Sequence, residues 1–113
     1  MTSANARKGR RAEIAVAEYL QTAGFPYAEP TRRSGWSDDR GDIDGIPGVV
    51  IEVKDHGKHD LAGWLRELSH EVDNAKADIG VLVVKRRGIG DAGQWYAITP
   101  LYEWAALAKA SGR

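Results

Sequence analysis

Two short clusters carry residue types that can do chemistry: Gly41-Asp42-Ile43-Asp44-Gly45, then Ile51-Glu52-Val53-Lys54. Side chains alternate across a strand. Asp42 and Asp44 therefore share one face, as do Glu52 and Lys54, while Ile43, Ile51 and Val53 point into a core. The turn-like Ile46-Pro47-Gly48 between the clusters predicts a β-hairpin. A three-residue loop with a left-handed Gly48 sets Asp42 opposite Lys54 and Asp44 opposite Glu52, gathering all four polar groups. A strict two-residue turn would oppose Asp42 to Val53 and split the acids. Hard cations such as Mg²⁺ take carboxylates, waters and substrate phosphate as ligands. Such an ion polarises a phosphoryl oxygen and acidifies water, and a lysine on the same face orients that water or offsets charge in the transition state. Surface ion pairs on a solvated hairpin are the plain alternative. Against it, Glu52 and Lys54 interrupt an otherwise apolar, β-branched run that reads as a buried strand.

The 113 residues suffice for a single domain, 1–113, with its own core. Cysteine is absent, which excludes disulfides and thiolate metal sites. No apolar run reaches membrane-span length and no hydrophobic region follows the basic N-terminus, so a soluble cytoplasmic protein is expected. Sixteen basic and sixteen acidic residues cancel, but they are segregated. Arg7, Lys8, Arg10 and Arg11 precede the first acid, Glu13; Arg32-Arg33 and Lys85-Arg86-Arg87 form two further basic clusters. Acids concentrate from Asp38 to Asp44 and from Asp60 to Asp78. The pattern permits a basic groove around an acidic pocket, although each cluster alone is more often a solvated face.

Several elements must position these groups. Asn5 to Ala23 reads as a helix with an apolar stripe of Ile14, Val16, Ala17 and Leu20, closed by Gly24, and with Glu13 near the stripe's polar edge. Phe25 to Glu29 is extended, and Pro30 to Arg40 is a loop holding Trp36. After a break at His56 to His59, Asp60 caps a helix to about Ala77, whose apolar face is Leu61, Trp64, Leu65, Leu68, Val72 and Ala75. Ile79 to Val84 is a buried strand, Lys85 to Gly93 a loop, and Gln94 to Ile98 a strand. Thr99-Pro100 opens a last helix to about Lys109. The order predicts an α/β fold, a central mixed β-sheet flanked by helices. Trp64 and Trp104 are expected in the core, and His56, His59 and His70 on the surface or against nucleic acid.

The sequence Arg7-Lys8-Gly9-x-x-Ala12-Glu13, Leu20-x-x-x-Gly24-Phe25, Gly41-Asp42-Ile43, Ile51-Glu52-Val53-Lys54 and Gly80-Val81-Leu82-Val83-Val84-Lys85 resembles the archaeal-type Holliday-junction resolvases of the PD-(D/E)XK nuclease superfamily. The resemblance runs from about Arg7 to Trp104 and implies a restriction-endonuclease-like core. It implies Asp42 and Glu52 as metal ligands with the Val53 carbonyl, Lys54 as catalytic lysine, and Glu13 completing the acidic site directly or through water. It also implies Mg²⁺, with Mn²⁺ as substitute, and Arg33-Ser34 near the scissile strand. The implied activity is that of a homodimer that cuts opposed strands of four-way DNA junctions and leaves 5′-phosphates. The basic residues Arg7, Lys8, Arg10, Arg11, Arg32, Arg33, Lys85, Arg86 and Arg87, with Ser34, would then contact DNA. Ile14 stands where the family often has an arginine, a charge Arg10 or Arg11 could supply, and Asp44 is an additional acid. A nickase, flap or restriction-type nuclease, or a DNA-binding module that does not cut, are the rival expectations.

Overall fold

A computed structural model describes residues 3–32 and 41–113 of the protein. Expectations for Arg33, Ser34 and Trp36 lie outside the described residues. In chain order the elements are α1 (Ala4–Thr22), β1 (Glu29–Pro30), β2 (Ile43–Asp44), β3 (Val49–Lys54), α2 (Leu61–Ala75), β4 (Ile79–Val84), β5 (Tyr96–Ile98) and α3 (Leu101–Ala110), with a 3₁₀ turn at Ala92–Gln94.

The sheet is mixed, as the element order predicts. β4 lies between β3, to which it is parallel, and β5, to which it is antiparallel. Strand alternation divides the apolar residues between two layers. Ile51 and Val53 join Ala12, Val16, Ala17 and Trp95 on the α1 side. Val50, Leu82 and Val84 join Trp64 and Leu68 on the α2 side. Alternation therefore sends Glu52 and Lys54 toward α2. Among the described residues, no helix is long and apolar enough to cross a membrane.

Helix α1 opens where Ser3 Oγ accepts from the Ala6 N–H at 3.0 Å, satisfying one of the unpaired first-turn donors. Its buried residues are Ala12, Glu13, Val16 and Ala17. Ile14, expected on this stripe, sits about a quarter turn away and is exposed. Glu13 instead occupies the middle of the apolar face. In α2 the Asp60 side chain accepts from the Gly63 N–H at 3.0 Å, as the capping pattern predicts.

The expected hairpin does not form in the expected register. β2 pairs with β1, placing Glu29 opposite Asp44 and Pro30 opposite Ile43. Asp42 reaches β3 through its N–H, which donates to the Ile51 carbonyl at 2.7 Å. It thus lies across from Ile51 rather than Lys54. Asp44 leaves the group altogether: Thr31 Oγ1 donates to its Oδ1 at 3.1 Å, and it lines a separate cavity with Tyr27 and Pro47. The reason is local. Gly41 and Gly45 both hold positive φ, 90° and 93°, so the segment bends at each end and simple alternation fails. Gly48 is left-handed as expected, at φ 77°.

Trp64 is buried, whereas Trp104 is 61% exposed, contrary to its expected place in the core. Helix α3 buries no residue. It meets the body through Glu103, whose Oε1 accepts from the Gly80 N–H at 3.0 Å, beyond the last β4–β5 pair. Thr99 makes no side-chain cap for this helix, which begins after Pro100.

Gly41 sets the approach of Asp42 to β3. A Cβ there would lie 2.8 Å from the Ile51 carbonyl oxygen and 2.9 Å from Val50 Cγ1, at a positive φ. Gly41→Ala is therefore expected to cost about 1–3 kcal/mol in urea denaturation. A loss below a few tenths would remove the argument.

Candidate active site

The open edge of β3 is where the candidate residues meet. Strand hydrogen bonding alternates sides, so the groups at Ile51 and Val53 leave from the edge facing away from β4. Asp42 covers that edge twice. Its N–H donates to the Ile51 carbonyl, and its Oδ2 accepts from the Val53 N–H at 2.8 Å. The carboxylate thereby continues the ladder as a side chain and stands in the plane between the two helical layers. By the same alternation the Val53 carbonyl leaves from this edge.

A cavity of about 710 Å³ opens there, lined by Arg10 and Glu13 of α1, by Asp42, Glu52, Val53 and Lys54, and by Glu67 and Glu71 of α2. Glu13, Asp42, Glu52 and Lys54, separate in sequence, thus line one cavity, but of the expected ligands only Glu52 belongs to the three carboxylates, with Glu67 and Glu71, whose oxygens are close enough to share an ion. Glu13 is 4% exposed and its Oε1 lies 3.7 Å from Arg10 Nη1. Arg10, one helical turn earlier, supplies the charge beside the helix glutamate that Ile14 does not.

Two participants were not recognised in the sequence. The carboxylate oxygens of Glu52, Glu67 and Glu71 lie within 4.8 Å of one another, a cluster that could hold a metal ion. Lys54 Nζ stands 3.7 Å from Glu52 Oε2 and 3.4 Å from Glu67 Oε2. A signal for Glu71 was present: it lies three residues after Leu68 and seven after Trp64, on the buried stripe of α2. An acid at such a position needs a partner or a proton. Glu67 is exposed and carries no comparable mark.

Glu52 shows what this crowding does. Its pKa is pushed from 4.5 to about 10, first by burial, then by a hydrogen bond with Glu71 and by the charges of Asp42 and Glu71. Lys54 pulls the other way without reversing the balance. The hydrogen bond between two carboxyls requires a proton on one of them. At neutral pH a proton thus takes up charge that a cation could otherwise balance. The clustered carboxylate oxygens fit a hard divalent ion, and His56 is a nitrogen donor on the wall of the same cavity.

The basic residues divide. Lys8, Arg11, Lys85 and Arg87 line a second cavity of about 500 Å³, which shares His56 with the acidic one. Arg86 instead braces its own loop, donating from Nη1 to the Gln94 carbonyl at 3.1 Å, with its guanidinium 5.4 Å from the Tyr96 ring centre. Arg7 and Arg32 line neither cavity. His56 and His59 are exposed, with ring centres 5.3 and 5.8 Å from Trp64; His70 is exposed on α2.

No family model matches the chain, and comparison with curated proteins and solved structures finds no significant relative.

The raised Glu52 pKa fixes the direction of a stability effect. Folded Glu52 keeps a proton that the unfolded chain loses above pH 4.5, so stability falls as pH rises from about 4.5 toward 10. One retained proton corresponds to at most about 1.4 kcal/mol per pH unit. Glu52→Gln should match wild type near pH 4 and exceed it increasingly at pH 6 to 9 in urea melts. Parallel pH profiles for the two proteins would show that Glu52 is not the group responsible.

Proposed function

We propose that the protein is a metal-dependent, structure-selective DNA endonuclease with a restriction-endonuclease-like core, resolving four-way junctions by phosphodiester hydrolysis. The observation that carries this reading is the convergence of Glu13, Asp42, Glu52 and Lys54 on one cavity from α1, the segment before β2, and β3. Carboxylates crowded beside phosphate without a cation would repel it. The acids therefore imply an ion, for which Mg²⁺ is the choice best matched to all-oxygen ligands, with Mn²⁺ as substitute.

Asp42, Glu52 and the Val53 carbonyl would hold the ion, with Glu13 and Glu71 within the same cavity to orient water or share the load. A divalent cation bound there supplies Lewis-acid polarisation of a phosphoryl oxygen and acidifies the attacking water. The Val53 N–H keeps the Asp42 carboxylate aimed, since it donates to Oδ2. Lys54, held by Glu67 beside Glu52, brings an ammonium to the point where negative charge grows during attack. Its carboxylate partners keep the ammonium at the cavity rather than in bulk solvent.

Symmetric cutting of a junction calls for two copies related by a two-fold axis. The exposed apolar residues of α3 favour that arrangement: Leu101, Trp104 and Leu107, on one side of the helix, are 78, 61 and 45% exposed.

Asp42→Asn and Glu52→Gln should reduce cleavage of a labelled four-way junction in Mg²⁺ below about 1% of wild type while leaving junction binding in place. Junction, flap and linear duplex assayed side by side identify the substrate class. Undiminished cutting by either variant rejects the site, and binding with no product in Mg²⁺ or Mn²⁺ selects a DNA-binding module. Trp104→Glu should convert a dimer to a monomer in light scattering; a dimer that persists would place the interface elsewhere.

A further inference from the structure

The basic cavity beside the acidic one has an unusual charge balance. The chain as a whole is neutral. Yet among the described residues this space of about 500 Å³ draws Lys8 and Arg11 from α1 and Lys85 and Arg87 from the segment after β4, against one carboxylate, Asp55. Like charges gathered in a concavity raise its potential and favour an anion. The acid does not dilute the cluster so much as arrange it. Asp55 Oδ1 lies 3.8 Å from Lys8 Nζ and Oδ2 lies 3.6 Å from Lys85 Nζ. One half-buried carboxylate thus ties two cations, borne by different elements, to the residue directly after Lys54. The Lys85 N–H also donates to the Lys54 carbonyl at 3.0 Å, fixing the base of that arm.

We infer that this cavity is a second phosphodiester subsite, distinct from the one where bond cleavage is proposed, and that Asp55 is its positioning residue. The inference rests on the nucleic-acid reading above and deepens it. His56 borders both cavities, so a strand with its scissile phosphate at Lys54 continues on one side over Asp55 into the basic space. Phosphate contacts of this kind set register and orientation without reading bases. The subsite gives phosphates on that side of the cut a contribution to binding that depends on Lys85, Arg87 and Asp55.

The test uses the full chain and a four-way junction in Ca²⁺, with single phosphates around the cut replaced by neutral methylphosphonates. Replacements on one side of the cut should weaken wild-type binding tenfold or more, the size of a charge-assisted hydrogen bond. The same replacements should cost nothing further in a Lys85→Ala, Arg87→Ala double variant. That variant's log–log salt slope should be shallower by about 2. Asp55→Asn separates positioning from bulk charge. Removal of a negative charge alone would tighten DNA binding, whereas loss of the brace should weaken it several-fold and reduce the methylphosphonate penalty. A thermal melt of each variant confirms that it is folded. Tighter binding by Asp55→Asn, or no sensitive phosphate on either side of the cut, overturns the proposal. Cleavage with no phosphate sensitivity that the Lys85→Ala, Arg87→Ala variant abolishes removes the subsite and leaves the nuclease reading. Sensitivity without cleavage does the reverse, the phosphates then being scanned along the whole strand.

Discussion

The structure depends on keeping several carboxyl groups together at the unpaired edge of a strand. Glu52 is committed to the α2 side by the alternation that buries Val50 beside it. Asp42 is committed to the strand edge by two hydrogen bonds. Glu13 and Glu71 are committed by lying on the buried faces of their helices. None can turn to solvent without dismantling an element. Their mutual repulsion is therefore answered inside the cavity, by the Lys54 ammonium and by a proton on the Glu52–Glu71 pair.

That arrangement links stability and chemistry. On the metal-dependent reading proposed above, a cation would replace the proton that Glu52 retains at neutral pH, because both neutralise the same oxygens. Lys54 is part of the same balance. It lies between Glu52 and Glu67, so its position depends on α2 as much as on β3. Helix α2 is thus a wall of the site as well as a cover for the sheet. Its acids project from the face that also carries Trp64 and Leu68.

Charge segregation carries the same logic outward. A neutral chain holds an acidic cavity and a basic one side by side, joined at His56, with Asp55 tying the basic arms to the end of β3. Under the proposed nuclease reading, the two surfaces would serve two needs of phosphodiester chemistry, a cation at the reacting phosphate and fixed positive charge along the rest of the backbone.

The residue pattern alone was enough for the mixed sheet flanked by helices, because alternation in β3 and β4 and the apolar stripe of α2 are local properties of the chain. It was also enough to single out Asp42, Glu52 and Lys54 as candidates, since acids and a lysine beside or within apolar runs stand out without any coordinates, whereas Glu13 on its helix edge reads as a surface residue and enters only through the resemblance. It failed at Asp44, at Ile14 and at Trp104. Positive-φ glycines bend β2 out of straight alternation, a small difference in helical angle moves Ile14 out and Glu13 in, and α3 packs so that none of its residues is buried. Glu67, and the dependence of Lys54 on it, came only from the tertiary structure. Which helix packs over Glu52 is decided by long-range packing across the sheet, and no spacing within β3 or α2 records it.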